Sequence, residues 1–137
     1  MEYKYFNPNP DAKTFKSGKA KSWCRNDSSI RAICCATGMT WDEVFKKLSD
    51  ISLNLHDVPT SKNVVNEFCI VNGFEHVTYG KPKKGCLRPT VEEFTKDMNE
   101  GTYIAYLPHY FVCIKNGEVY NTEDVANSSI YSYWKMN

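Results

Sequence analysis

The hydrophobic pattern of the chain changes at Gly101, and this change constrains the fold more than any other feature of the sequence. Before Gly101, apolar residues recur at helical spacing in four segments. After Gly101, apolar and polar residues alternate with a period of two among β-forming residues, over 103–107, 110–114, 118–122 and 130–134. The pattern predicts an α+β fold in which N-terminal helices pack on a C-terminal antiparallel β-sheet.

The predicted helices begin at residues that favour helix N-termini and end at residues that favour helix C-termini. Their predicted starts are 26–27, 40, 59–61 and 90, and stop signals follow at Gly38, Asn72-Gly73 and Gly101. Residues 1–22 hold several lysines among Asn, Pro and Ser with little periodicity, which predicts an extended arm lying over the domain. Asn116-Gly117 predicts a hairpin between two of the strands.

Length and composition favour one domain, over residues 1–137, with no charge bias toward a particular partner. The chain has 17 Lys and Arg against 16 Asp and Glu, so nothing in its net charge favours nucleic acid or an anionic membrane. No run approaches the roughly 20 apolar residues of a membrane span, and residues 1–10 lack the apolar block of a signal peptide. We therefore expect a cytoplasmic protein whose six cysteines are mostly reduced thiols.

Three positions have the residue types that nucleophilic catalysis requires. Position 28 lies at a predicted helix N-terminus, where unpaired amides lower the pKa of a thiol and can hold an oxyanion. His109 begins a predicted strand and is a candidate base, and Asn121 or Asp124 on the next strand is a candidate to orient the imidazole.

The residues around these positions resemble those of a known superfamily. Residues 26–32, Asn-Asp-Ser-Ser-Ile-Arg-Ala, are similar to a helix-opening Asp-Cys-x-x-Arg-Ala element with serine in place of cysteine. His109, the Asn-Gly turn and Tyr120-Asn121-Thr122 resemble the His, strand, Asn-Ser-Trp or Asp-Thr-Trp order of papain-like cysteine peptidases and NlpC-type amidases. The resemblance implies a papain-like fold, no cofactor, and an enzyme that cleaves an amide or isopeptide bond of a peptide or protein.

The same resemblance implies a nucleophilic cysteine at position 28, His109 as the base and Asn121 as the orienting residue. Ser28 departs from this pattern, since serine does not ionise near neutral pH and a histidine suited to a thiol activates a hydroxyl poorly. The sequence therefore predicts an inactive variant of a cysteine peptidase. No glutamine precedes position 28 to donate to an oxyanion, so the Ser28 amide with Asn26 is the expected substitute.

The choice between Asn121 and Asp124 depends on the register of the Asn116-Gly117 hairpin. A two-residue type I′ turn pairs residues 115 and 118, which places Asp124 opposite His109 and turns Asn121 to the other face. A three-residue loop with a bulge at Gly117 pairs 114 with 118 and brings Asn121 to the face of His109. The sequence leaves both registers open.

Other interpretations of these residues remain. Cys24 is a candidate nucleophile if Ser28 is native, although it lies a turn too early for the helix amides. Native Ser28 would also fit a non-catalytic binding module on the same fold, or a serine amidase. A cell-wall amidase agrees poorly with the absent signal sequence. Without a Cys-x-x-Cys pair or a helical His-x-x-x-His pair, no metal site is expected.

Overall fold

The computed structural model describes residues 2–9, 26–81 and 87–136. These residues form four helices and six strands, which confirms the α+β class predicted from the sequence. The helices are α1 (Ser28–Thr37), α2 (Trp41–Leu55), α3 (Lys62–Val71) and α4 (Val91–Asp97). The strands are β1 (Glu2–Tyr5), β2 (Glu75–Thr78), β3 (Thr102–Leu107), β4 (Tyr110–Lys115), β5 (Glu118–Asn121) and β6 (Ser132–Lys135).

The strands form one mixed sheet in the order β1-β5-β4-β3-β6-β2. The neighbouring pairs are antiparallel except β1 and β5, which run parallel, so the prediction of a purely antiparallel sheet was wrong at this edge. Residues 2–5, predicted as part of an extended arm, are an edge strand that pairing with β5 stabilises. Residues 10–22 of that arm lie outside the described residues.

The two faces of the sheet carry separate apolar clusters. On one face, helices α1, α2 and α3 pack against alternate residues of the central strands, among them Ile104, Phe111, Cys113 and Trp134. On the other face, α4 contributes Val91 and Phe94 to a cluster with Tyr103, Ala105, Leu107, Val112, Ile114, Val119, Ile130 and Tyr133. Helix α1, of which residues 29–36 are buried, therefore lies between the sheet and α2.

The predicted capping residues begin three of the helices. Thr40, Ser61 and Thr90 each accept the backbone N–H of the third following residue, and Thr90 completes a reciprocal capping box with Glu93. Asp27 precedes α1, but its side chain forms no capping hydrogen bond.

Two tight turns fix the central strands. Asn116 and Gly117 have φ values of 49° and 77°, and residues 115 and 118 pair across them, as in a type I′ turn. This observation settles the register that the sequence left open. Between β3 and β4, Leu107 pairs with Tyr110, so Pro108 and His109 form a two-residue turn.

Within the described ranges, none of the helices combines the length and the apolar character that crossing a bilayer requires.

Candidate active site

The N-termini of α1 and α3 and the turn between β3 and β4 surround a cavity of about 360 Å³. We call it the α1/α3 cavity. Position 28 and His109, which the sequence predicted as partners in one site, both line it. The lining residues are Asn26, Ser28, Ser29, Thr60, Ser61, Lys62, Tyr106, His109, Tyr110 and Phe111.

Ser28 is the first residue of α1 and is half-buried at the wall of this cavity. Its hydroxyl oxygen accepts the backbone N–H of Phe111 at 3.1 Å. Phe111 lies in β4, two residues after His109. The hydrogen bond therefore joins the N-terminus of α1 to the strand that follows the histidine turn.

His109 occupies the second position of the turn before β4, whereas the sequence suggested that it opens the strand. Its φ of 54° lies in the left-handed region, which is strained by about 1–2 kcal/mol for a residue with a Cβ atom. Its side chain is exposed, and among the described residues it has no hydrogen-bond partner. His109 therefore borders the cavity, but no hydrogen bond among the described residues holds its imidazole there.

Asn121 ends β5 and is 2% exposed. Its Nδ2 donates to the carbonyl oxygen of Glu123 at 2.9 Å. Its Oδ1 accepts from the Tyr110 hydroxyl at 3.0 Å and, at 3.5 Å, from Nη2 of Arg31. The Asn121 amide is thus engaged with β4 and α1, and none of the hydrogen bonds described for it reaches His109.

Asp124 likewise forms none of the hydrogen bonds described for it with the imidazole. The type I′ register would place it opposite His109, but β5 ends at Asn121 and the pairing does not continue to position 124. The exposed Asp124 carboxylate accepts the Ala126 N–H at 2.9 Å. Its charge, after desolvation, contributes to raising the pKa of Tyr3 on β1.

A buried polar network includes residues on either side of position 28 along the chain. Arg31 and Asp27, 4% and 5% exposed, form an ion pair one helical turn apart. The indole N–H of Trp41 donates to the Asp27 carboxylate at 3.0 Å, and Arg31 Nη2 donates to the Tyr110 hydroxyl at 2.6 Å. Through Tyr110 the network reaches Asn121. It ties α1 to α2, β4 and β5, and so holds the N-terminus of α1 against the sheet.

The predicted oxyanion residue, Asn26, is exposed and lines the cavity. Because the Asp27 side chain does not cap α1, no side chain of its N-cap residue takes up the first-turn amides. Ser29 also lines the cavity, and its buried hydroxyl has no hydrogen-bond partner. A carbonyl oxygen bound here would lie near helix amides, a hydroxyl donor and an imidazole, which are the groups that acyl transfer requires.

Sequence reasoning missed Ser61 and Lys62 at the start of α3 and Tyr106 near the end of β3, which also line the cavity. The Pro-Thr-Ser signal gave the start of this helix correctly. It carries no information about which other helix terminus lies opposite, because that depends on how α2 and α3 pack on the sheet.

The cysteines in the described residues are free and buried. Desolvation raises the pKa of the Cys34 and Cys69 thiols to about 12, so neither is a ready nucleophile. A hydrogen bond with Cys35 and burial raise the pKa of Cys113 as well. Cys24, the alternative nucleophile, lies outside the described residues.

A search of the described residues found no group of three or more His, Cys, Asp and Glu side chains that could hold a metal ion.

Comparison with protein-family models, with curated proteins and with solved structures gave no match.

Proposed function

We propose that the chain has a papain-like architecture and that its active form is a cysteine peptidase or isopeptidase with the nucleophile at position 28 and the base at His109. The observation that carries the proposal is their shared cavity. Residue 28 begins α1, His109 lies in the β3–β4 turn, and both line the α1/α3 cavity. A hydrogen bond of 3.1 Å from Phe111 to Ser28 links the two elements.

In the active form, a cysteine at position 28 would transfer its proton to His109 and attack the carbonyl carbon of an amide. The α1 amides would favour the thiolate and the oxyanion. The C–N bond would then break as His109 returns the proton to the leaving amine. Water, deprotonated by His109, would hydrolyse the thioester and release a carboxylic acid. With Ser28 in place, the first proton transfer lacks a group that ionises near neutral pH.

The proposal requires position 28 and His109, with Asn121 in a supporting role. The Asn121 amide is bonded to Tyr110 and to the Glu123 carbonyl, so it stabilises the strand beside the cavity. The exposed imidazole of His109 has room to turn when a substrate fills the cavity, and catalytic hydrogen bonds often tighten only then.

The test restores the thiol by Ser28→Cys and measures its labelling by a peptide that carries a thiol-directed electrophile. We expect fast labelling of this variant at neutral pH, and a rate lower by about 10²–10⁴-fold when His109→Ala is added. The chain with Ser28 reports the background from its six cysteines. Labelling of Ser28→Cys at the same rate with and without His109 would overturn the assignment.

A second candidate function is a non-catalytic binding module with native Ser28. It is favoured by the bond between the Ser28 hydroxyl and Phe111, which gives serine a structural use at this position. In this case, the chain with Ser28 would bind a peptide in the cavity, and Ser28→Cys would gain no His109-dependent labelling. The same two measurements therefore separate the enzyme from the binding module.

A further inference from the structure

The α1/α3 cavity is lined by cationic and neutral residues. Lys62 carries a full positive charge, and the serine, threonine, asparagine and tyrosine side chains around it are hydrogen-bonding groups without charge. Among the described residues that line the cavity, none is acidic. A ligand that brings a negative charge would therefore meet no like charge on the cavity wall.

Two helix N-termini point their partial positive charge at the same space. α1 begins at Ser28 and α3 begins at Lys62, each helix has 10 residues, and the first residues of both line the cavity. Unpaired amides and the macrodipole make a helix N-terminus favourable for an anion. Convergence of two such termini strengthens this preference on one side of the cavity.

The hydroxyl of Ser29 supplies an independent indication of a ligand. Ser29 is 1% exposed and lines the cavity, yet its Oγ atom has no hydrogen-bond partner. A buried hydroxyl without a partner is destabilising by about 1–3 kcal/mol relative to a paired one. An acceptor oxygen that comes within hydrogen-bonding distance of this Oγ atom would satisfy the donor.

Lys62 occupies a position that its own helix disfavours. It is the first residue of α3, whose first turn contains no acidic residue, so its charge adds to the positive end of the helix. Its ammonium lies 5.1 Å from the centre of the Tyr106 ring, which holds it at the cavity. Within the described part of the chain, no carboxylate forms an ion pair with Lys62.

We propose that the α1/α3 cavity binds a peptide carboxylate, from an acidic side chain or a free C-terminus, between Lys62 and the α1 N-terminus. The inference rests on the proposed function and names its substrate class: peptides with a carboxylate close to the reacting carbonyl. Lys62 supplies the opposite charge, and Ser29 with the helix amides supplies the hydrogen-bond donors.

Three acetylated peptides of otherwise identical sequence test the proposal by amide NMR titration of the chain with Ser28. One carries glutamate and an amidated C-terminus, one carries glutamine and an amidated C-terminus, and one carries glutamine and a free C-terminus. We expect one carboxylate peptide to bind at least about tenfold more tightly than the neutral peptide, with shifts at the Ser29 and Lys62 amides. The peptide that gains affinity identifies the source of the carboxylate.

Variants of Lys62 assign that preference to its charge. Lys62→Ala should abolish the discrimination between the peptides, and Lys62→Arg should retain it. Lys47→Ala, at an exposed lysine of α2 away from the cavity lining, is the matched control and should leave it unchanged. Equal affinities for the three peptides, absence of binding, or discrimination that survives Lys62→Ala would overturn the carboxylate site.

This outcome is separable from that of the proposed function. If a neutral electrophile labels Ser28→Cys in a His109-dependent way but the peptides show no carboxylate preference, the hydrolase assignment stands and the carboxylate site is rejected. If the peptides show a carboxylate preference but this labelling is absent, the hydrolase assignment is rejected and the cavity is a binding site for acidic peptides.

Discussion

The hydroxyl oxygen of Ser28 lies 3.1 Å from the backbone nitrogen of Phe111 and accepts its hydrogen bond. This contact joins the first residue of α1 to β4, two residues beyond the turn that carries His109. It also gives the serine a stabilising role that is independent of catalysis.

Ser28→Ala should lower the free energy of unfolding by about 0.5–1.5 kcal/mol, because the Phe111 N–H loses its acceptor in a half-buried place. Urea unfolding of the parent chain and the variant measures the difference. Ser49→Ala, in the middle of α2, is the control and should cause no loss, since alanine favours a helix interior. Equal stability of the parent chain and the Ser28→Ala variant would show that the hydrogen bond contributes nothing.

Removal of either partner of the buried Asp27–Arg31 pair should be more severe. Arg31→Met leaves the Asp27 carboxylate buried with only the Trp41 indole as a donor, and we expect a loss of about 3–5 kcal/mol. Adding Asp27→Asn should then change the stability by less than that substitution does alone. A double-mutant cycle by urea unfolding measures this coupling, and additive losses would contradict the network.

Local rules were enough to predict most of the helices and the central strands. Thr90 with Glu93, and Asn116 with Gly117, satisfy their own backbone groups, so their structures do not depend on distant partners. The parallel pairing of β1 with β5 depends on such a partner. A short run of alternating tyrosines and charged residues favours a strand only when a free sheet edge lies beside it.

The same distinction applies to the site. Position 28 could be selected because a helix start is a local feature, and His109 because it directly precedes a run of β-forming residues. The partners of Asn121 could not, since they depend on Tyr110 reaching across to Arg31, 79 residues earlier in the chain. Lys62 was missed because its place at the cavity follows from how α3 packs on α2 and β2.

The imidazole of His76 should make the folded chain sensitive to acid. Burial, and then the charge of Lys62, lower the pKa of His76 below its usual 6.5, and its ring stacks on Trp134 with centroids 4.7 Å apart. Below about pH 6.5 the unfolded chain therefore binds a proton that the folded chain still excludes, so stability falls as the pH decreases through the lowered pKa.

The variant His76→Phe keeps an aromatic ring over Trp134 and removes the titrating group. Urea unfolding at about pH 7.5 and about pH 5.5 should show a smaller loss of stability on acidification in this variant than in the parent chain. An identical pH dependence in both chains would mean that His76 does not contribute. A larger loss in the variant would mean that protonation of His76 stabilises the fold.

The left-handed backbone of His109 predicts that a side chain at this position lowers the stability of the fold relative to glycine. At a φ of 54°, alanine is strained and glycine is not, so His109→Gly should be more stable than His109→Ala by about 1 kcal/mol. Urea unfolding compares the two variants. In the Ser28→Cys background both should lose labelling to the same extent, since neither carries an imidazole. If the alanine variant is as stable as the glycine variant, the turn is unstrained; if glycine preserves labelling, His109 is not the base.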